Sequence, residues 1–440
     1  MKHSNMGLAR SHATSSQSGV RTAATSLLLI FWILVAAYYL NNPTPDGIRD
    51  PWKYKGFVAA KRIAIDAAYV LSLFTSSHYV QLFRSFVESA AFVVASPPEV
   101  RGSNIRYTLT TFEGVKVRLY EPIKRRADFG PAVVFIHGGA FVIGSTAMFD
   151  FLTRRFAEEL DCVLVSIEYR LAPEHPFPAA YEDCLNATKW FMDHAQEFNV
   201  DSSRIGIAGD SAGGALAAAV AQILHDEPGY PDVAFQALIY PITQFIDNHT
   251  PATFLSISLF GEEGSMVTWQ EAGEFTCFYL LGRLDERVVR ALVDNTHTSV
   301  EFRRESPLAQ FVNHTMLPLH MQDYGHLTPP HLQEQRGDDY VWDQIDDIVL
   351  DPRASPLLRR EMAGLPPTFV VTCEFDALRD HGAFYAIRLQ EAGVPVRWEH
   401  YQGGFHGVLG PTWPLVFEVG ENMFRDLILY AKEHLAIEAN

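Results

Sequence analysis

The chain has 440 residues, of which 48% are apolar and 20% charged, enough for a large buried core and too apolar for a disordered or collagen-like chain. Its 35 basic against 52 acidic side chains leave a net charge of −17, which repels phosphate backbones, and no basic stripe offsets it, so nucleic acid is excluded as a partner. Cys162, Cys184, Cys277 and Cys373 form no CxxC pair, which argues against a disulfide scaffold or a zinc cluster.

Residues 22–40, TAATSLLLIFWILVAAYYL, carry no charge. As a helix they reach about 28 Å, close to the hydrocarbon thickness of a bilayer. Lys2, Arg10 and Arg21 precede the run, whereas acids and bases mix after it at Asp46, Arg49, Asp50 and Lys53. The positive-inside rule then keeps 1–21 as a cytosolic tail and makes 22–40 a transmembrane signal anchor. A cleaved signal peptide ending at Val35-Ala36-Ala37 is the competing reading, but Tyr38, Tyr39 and Leu40 carry the apolar run past that point. Either way the rest of the chain is expected in the secretory lumen or outside.

Residues 41–100 form a membrane-proximal helical segment. Ile63, Ala67, Val70, Leu71 and Phe74 share one helical face, and Leu82, Phe83, Phe86, Val87 and Ala90 share another. Such helices can cover an active site, lie against the bilayer or simply pack on the core. From about residue 101 the pattern changes. Ile105–Thr110 and Val115–Tyr120 alternate as half-buried antiparallel strands do. Short continuous apolar runs follow at Ala132–Ile136, Cys162–Ile167, Ile205–Ala208, Phe235–Tyr240 and Thr368–Thr372, separated by helical stretches. This is the pattern of a mostly parallel sheet with helices on both faces. Residues 242–365 interrupt the rhythm and read as an inserted cap. Val394–His400 alternates like an edge strand.

Three sequons fit N-x-[ST]: Asn186, Asn248 and Asn313. Pro251 weakens Asn248, Asn186 sits on a solvated helix face, and Asn313 lies in a loop and is the preferred acceptor.

The sharpest chemical signal is Gly209-Asp210-Ser211-Ala212-Gly213-Gly214, between the strand ending at Ala208 and a helix over Ala215–Leu224. G-x-S-x-G in that setting is a strained turn that projects a serine oxygen. A dinucleotide fingerprint over Gly206–Gly214 fails, because the glycine spacing misses G-x-G-x-x-G. The second signal is His137-Gly138-Gly139-Ala140-Phe141 after a strand. Its glycines suit a turn whose N–H groups converge on one spot, so Gly138, Gly139 and Ala212 are the candidate oxyanion donors, with His137 in a structural role beside the loop. A serine needs a histidine base and a carboxylate that orients it. In chain order Ser, acid, His, the candidates are Asp376 after the strand Thr368–Thr372 and His406 among glycines after the next strand. Glu374 and Asp380 compete with Asp376, but Asp380 is better placed to cap the helix starting near His381. Such a mechanism needs no metal or cofactor.

Together HGG, YRLAPEHPFPAAYEDC (Tyr169–Cys184), GDSAGG, DPRASPLL (Asp351–Leu358), CEFDALRDHG and GGFHG resemble the α/β hydrolases of hormone-sensitive-lipase type. The likeness is greatest to the arylacetamide deacetylase and neutral cholesterol ester hydrolase group and includes PTPDGIRDPWK (Pro43–Lys53) after the anchor. The resemblance implies the α/β-hydrolase fold with a helical cap and an N-terminal transmembrane helix. It implies Ser211 as nucleophile, Asp376 as acid, His406 as base, and Gly138, Gly139 and Ala212 as the oxyanion hole. It also implies a single-pass protein of the endoplasmic reticulum membrane with a luminal catalytic domain, acting on lipophilic esters or arylamides. Two departures stand out. Ala140 replaces a glycine common in the family, and the family's disulfide is not carried over, because Cys373 finds no partner around Val142. A catalytically silent receptor or adhesion scaffold is the alternative, which the complete Ser–Asp–His set disfavours. The HGG loop disfavours a cap-gated peptidase.

Overall fold

The computed structural model describes residues 25–95, 103–124, 128–261, 264–326, 336–410 and 416–437. The first described element is helix α1 (25–40), followed by a helical hairpin of α2 (Pro51–Ser72) and α3 (Tyr79–Ala95). Residues 22–24 of the expected span lie outside the described residues. Among the described residues no helix is long and apolar enough to cross a membrane. The large apolar side chains from Leu27 to Leu34 are nevertheless all more than half exposed.

The strands are β1 (Ile105–Phe112), β2 (Val115–Pro122), β3 (Gly130–Ile136), β4 (Val163–Glu168), β5 (Val200–Asp210), β6 (Gln236–Ile239), β7 (Thr368–Phe375) and β8 (Val396–Phe405). They form one sheet in the order β1-β2-β4-β3-β5-β6-β7-β8. β2 pairs antiparallel with β1 and with β4, and every other pairing is parallel. All residues of β3 and β6 are buried, which explains why the central strands read as continuous apolar runs. β1 departs from its alternating pattern. Only Ile105 and Phe112, at its two ends, are buried, because an edge strand has no layer over its middle.

On one face of the sheet α5 (Ala179–Asp193), α6 (Ala212–Asp226) and α12 (Arg379–Glu391) pack through small and aromatic side chains. On the other lie α4 (Asp150–Leu160) and α13 (Glu418–His434). Between β6 and β7 come α7 (Pro251–Phe260), α8 (Trp269–Leu281), α9 (Glu286–Val293), α10 (Val300–Glu305) and α11 (Asp339–Val349), with short 3-10 turns. A polar knot ties this insertion together. Asp247 accepts hydrogen bonds from His314 at 3.0 Å and from the Asn295 amide at 2.8 Å.

The two apolar faces of the hairpin meet different surroundings. α2 buries Tyr54, Val58, Ala59, Ile65 and Ala68, while Ile63, Val70, Leu71 and Phe74 of its predicted shared face are exposed. In α3 the shared face turns inward: Phe83 is buried, and Leu82, Phe86 and Val87 pack against the same cluster. The side chain of Ala90 lies outside the described residues.

Candidate active site

β5 runs straight into Ser211, and α6 starts at the next residue. Such a reversal demands unusual backbone angles, and Ser211 has φ 53° and ψ −118°, a strained conformation that lifts its oxygen off the strand end. The turn also demands glycine on both sides. A Cβ on Gly209 would lie 2.2 Å from Gly213 O, and one on Gly213 2.0 Å from Ile136 O.

The Ser211 Oγ lies 2.9 Å from His406 Nε2. His406 follows β8, and its Nδ1 lies 3.0 Å from both oxygens of Asp376, which follows β7. Asp376 also accepts from Leu378 N at 2.8 Å and is almost wholly buried. The carboxylate makes Nδ1 the donor, which leaves Nε2 free to accept the serine proton. Burial by itself would lower the His406 pKa, but the Asp376 charge and hydrogen bond outweigh it and raise it.

The competing carboxylates have other partners. Glu374 accepts from Gly403 N at 2.7 Å. Asp380 is bound to Arg379 and accepts from Ala252 N. It therefore caps the first turn of α7 in the insertion, whereas its own helix α12 begins after Leu378. This corrects the expected local cap.

The loop after β3 corrects a second expectation. The Gly138 N–H is not available to an oxyanion, because it donates to Asp210 Oδ1 at 2.7 Å. Gly139 and Ala140 line the cavity next to Ser211, and no described residue accepts a hydrogen bond from their N–H groups. Ala140 and Phe141 hold positive φ of 52° and 63°, so an alanine takes the conformation that a third glycine would adopt more cheaply. Ala212 opens α6, where a helix's first N–H groups have no intrahelical partner. The available donors are thus Gly139, Ala140 and Ala212. His137 is fully buried and stacks on Tyr169, and its Nδ1 lies 2.8 Å from Gly138 O. It sits under the loop, away from the serine.

Two residues to which the sequence reading gave no role hold this loop. Burial pushes Asp210 up to about 7, and its side chain fixes Gly138. From α3, Arg84 donates to Val142 O and Ala172 O and pairs with Glu174 at 2.8 Å. The only sequence signal for Arg84 was a charge within an otherwise apolar helix face.

Above these groups is a cavity of about 460 Å³. Phe57 and Ala64 of α2, Phe83, Phe86 and Val87 of α3, and Phe275 of α8 line it. Lys61 and Glu271 form an ion pair on its wall at 2.7 Å. Asn248 also lines it, and its amide donates to Leu292 O. Asn186 and Asn313 are exposed. All four cysteines are buried and free.

A nucleophile elbow, a His–Asp pair on later strand ends and a backbone-donor loop define the α/β hydrolases. A family model for the alpha/beta hydrolase fold matches residues 133–294 and 295–410. The chain is 36% identical to arylacetamide deacetylase of Oryctolagus cuniculus, covering 89% of this chain and 94% of that protein. It is 32% identical to neutral cholesterol ester hydrolase 1 of Bos taurus, covering 94% and 100%. Among solved structures, a hyperthermophilic esterase from the archaeon Pyrobaculum calidifontis superposes with a TM-score of 0.56 at 28% identity, over 82% of this chain and 94% of that one. The chain belongs to the α/β-hydrolase family of hormone-sensitive-lipase type that holds the arylacetamide deacetylases and neutral cholesterol ester hydrolases. It is an enzyme of the serine esterase type.

Proposed function

We propose that this enzyme is a membrane-anchored carboxylic-ester hydrolase that cleaves lipophilic esters or arylamides through an acyl-enzyme intermediate. The observation that carries this reading is the unbroken hydrogen-bond chain Ser211–His406–Asp376 at the floor of an apolar cavity. Ser211 Oγ attacks the carbonyl carbon as His406 Nε2 takes its proton. The oxyanion that forms is met by the N–H groups of Gly139, Ala140 and Ala212. Collapse breaks the bond to the alcohol or amine, which leaves with the proton from His406. Water then attacks the acyl-serine, again through His406, and the acid is released with Ser211 restored.

The apolar, exposed α1 supports the anchor, and the charge asymmetry around it supports a luminal catalytic domain in the endoplasmic reticulum. Asn313, exposed in the insertion, is then the glycan acceptor. The α2–α3 hairpin acts as a lid whose inner face receives the acyl chain. The silent-scaffold alternative finds no support in a site with all three groups in contact.

Ser211→Ala is the test. It should lower ester hydrolysis by roughly 10⁶ if the triad acts as a unit, and a fluorophosphonate should cease to label the chain. Retained labelling would place the nucleophile elsewhere. For the topology, endoglycosidase should reduce the apparent mass, Asn313→Gln should remove part of that shift, and alkaline carbonate should leave the chain in the membrane pellet. An absence of glycan would overturn the luminal orientation.

A further inference from the structure

The α2–α3 hairpin is apolar on two sides. One side, with Phe57, Ala64, Phe83 and Phe86, lines the cavity. The other, with Ile63, Val70, Leu71 and Phe74, faces outward, as does Leu73 in the turn. At the tip, Leu73 is 79% and Phe74 80% exposed. A helix that covers a pocket in water carries polar groups on its outer face. Here no charged residue occurs from Ala67 to Ser77.

The position of this surface is fixed by two sets of contacts. The start of α2 is held on the globular body, where Lys53 donates to Val416 O and Arg49 pairs with Glu418. Its middle meets the last turn of α1: Tyr39 donates to Asp66 at 2.8 Å, and the Arg62 guanidinium lies over the Tyr38 ring and donates to Asn42. So α2 runs from the body towards the end of the anchor. Its exposed stripe begins there, and the tip lies a further turn or two along the same line. The tyrosines at the end of α1 are the residue type found at membrane–water interfaces.

We propose that the tip of the α2–α3 hairpin, around Leu71, Leu73 and Phe74, inserts into the lipid surface beside α1 and holds the lid side of the cavity against the bilayer. This rests on the reading of α1 as an anchor. Shallow insertion of an apolar helical face is favoured in proportion to the area it buries. It explains why an apolar stripe is left uncovered on the outside of a lid. It also places the inner face of the same two helices next to the phase in which lipophilic substrates dissolve.

The test uses the full chain in phosphatidylcholine vesicles. Because the four native cysteines are buried and free, a fluorophore can be attached at Phe74→Cys, Leu29→Cys or Leu319→Cys. Leu319, 87% exposed in the insertion, reports a surface that is not part of the hairpin. Hydrolysis of a water-soluble ester confirms that each labelled protein is folded. With nitroxide groups on the lipid acyl chains, fluorescence should be lost at positions 74 and 29 and kept at 319. Loss at 29 with none at 74 overturns the inference and leaves the anchor standing. Loss at neither overturns both. A blue-shifted but unquenched label at 74 would place a second copy of the protein there and also overturn it. As an independent arm, Leu73→Asp with Phe74→Asp should lose activity on an ester dissolved in the vesicles while keeping activity on the soluble ester. Equal activity on both would overturn it.

Discussion

At the floor of the cavity the reacting groups sit on strand ends, and backbone contacts hold them. A Cβ on Gly139 would lie 2.0 Å from Ile143 O, and Ser211 is locked in a strained turn. Over the cavity the arrangement is different. The hairpin and α8 meet through side chains: the Lys61–Glu271 ion pair, the Tyr69 hydroxyl on Glu274, and a cluster of phenylalanines. The floor has little freedom, since moving its backbone breaks several contacts at once. The cover can shift by side-chain rearrangement. This predicts that floor variants fail on every substrate alike, whereas cover variants fail according to the size and solubility of the acyl group.

The floor offers the largest effects. Asp376→Asn should lower kcat about 10⁴-fold on soluble and lipophilic esters equally, because an amide favours the wrong His406 tautomer. A loss below tenfold would remove Asp376 from its orienting role. The same pair sets the pH profile. His406 must be neutral to accept a proton, and Asp376 raises its pKa. Activity should therefore fall on acidification with a midpoint above the ordinary value of about 6.5. Measured as kcat/KM against pH, that midpoint should move down in Asp376→Asn.

Gly139→Ala comes next. Its Cβ meets Ile143 O, so the donor loop must move, and kcat should fall by roughly 10²–10³, the worth of one oxyanion donor. An unchanged kcat would show that the oxyanion is held elsewhere. Arg84 tests the link between the two regions, since it reaches from the cover to the loop. Arg84→Ala should lower kcat roughly tenfold or more, in keeping with hydrogen bonds from a charged donor, with KM for a soluble ester little changed. Arg84→Lys should restore part of the rate, and a fall in melting temperature alone, with kcat intact, would make the contact merely structural.

The smallest effects belong to the cover. Phe86→Ala should leave an acetyl ester unaffected and reduce kcat/KM for longer acyl chains by up to about fourfold per methylene that loses its contact. A chain-length series gives the slope, and a uniform loss at all lengths would break the proposed division between floor and cover.

The three side chains that the structure joins, Ser211, His406 and Asp376, were legible in the sequence because each stands in a short segment whose chemistry is local. G-x-S-x-G makes its own elbow, and strand–loop order places Asp376 and His406 after it. The parallel core strands were legible for a similar reason, since burial on both faces leaves an unbroken apolar run. Gly138 was misassigned because a motif names the glycines of a loop and not the direction of each N–H, and here Asp210 claims the first one. Asp380 was misassigned because its partner, Ala252, is in a different element.

The α2 stripe shows the limit most clearly. Helical periodicity established that Ile63, Ala67, Val70, Leu71 and Phe74 share a face. It could not say what that face meets, because a 3.6-residue period is the same whether the apolar partner is protein or lipid. The charge of Arg84 in an apolar helix gave no sign of what it meets, since its acceptors, Val142 O and Ala172 O, become its neighbours only when α3 docks. The sequence by itself therefore determined the chemistry, the strand order of its bearers and the existence of the amphipathic faces. Tertiary structure alone decided which N–H groups are free, which carboxylates are already engaged and which apolar face stays uncovered, because each depends on contacts between residues far apart in the chain.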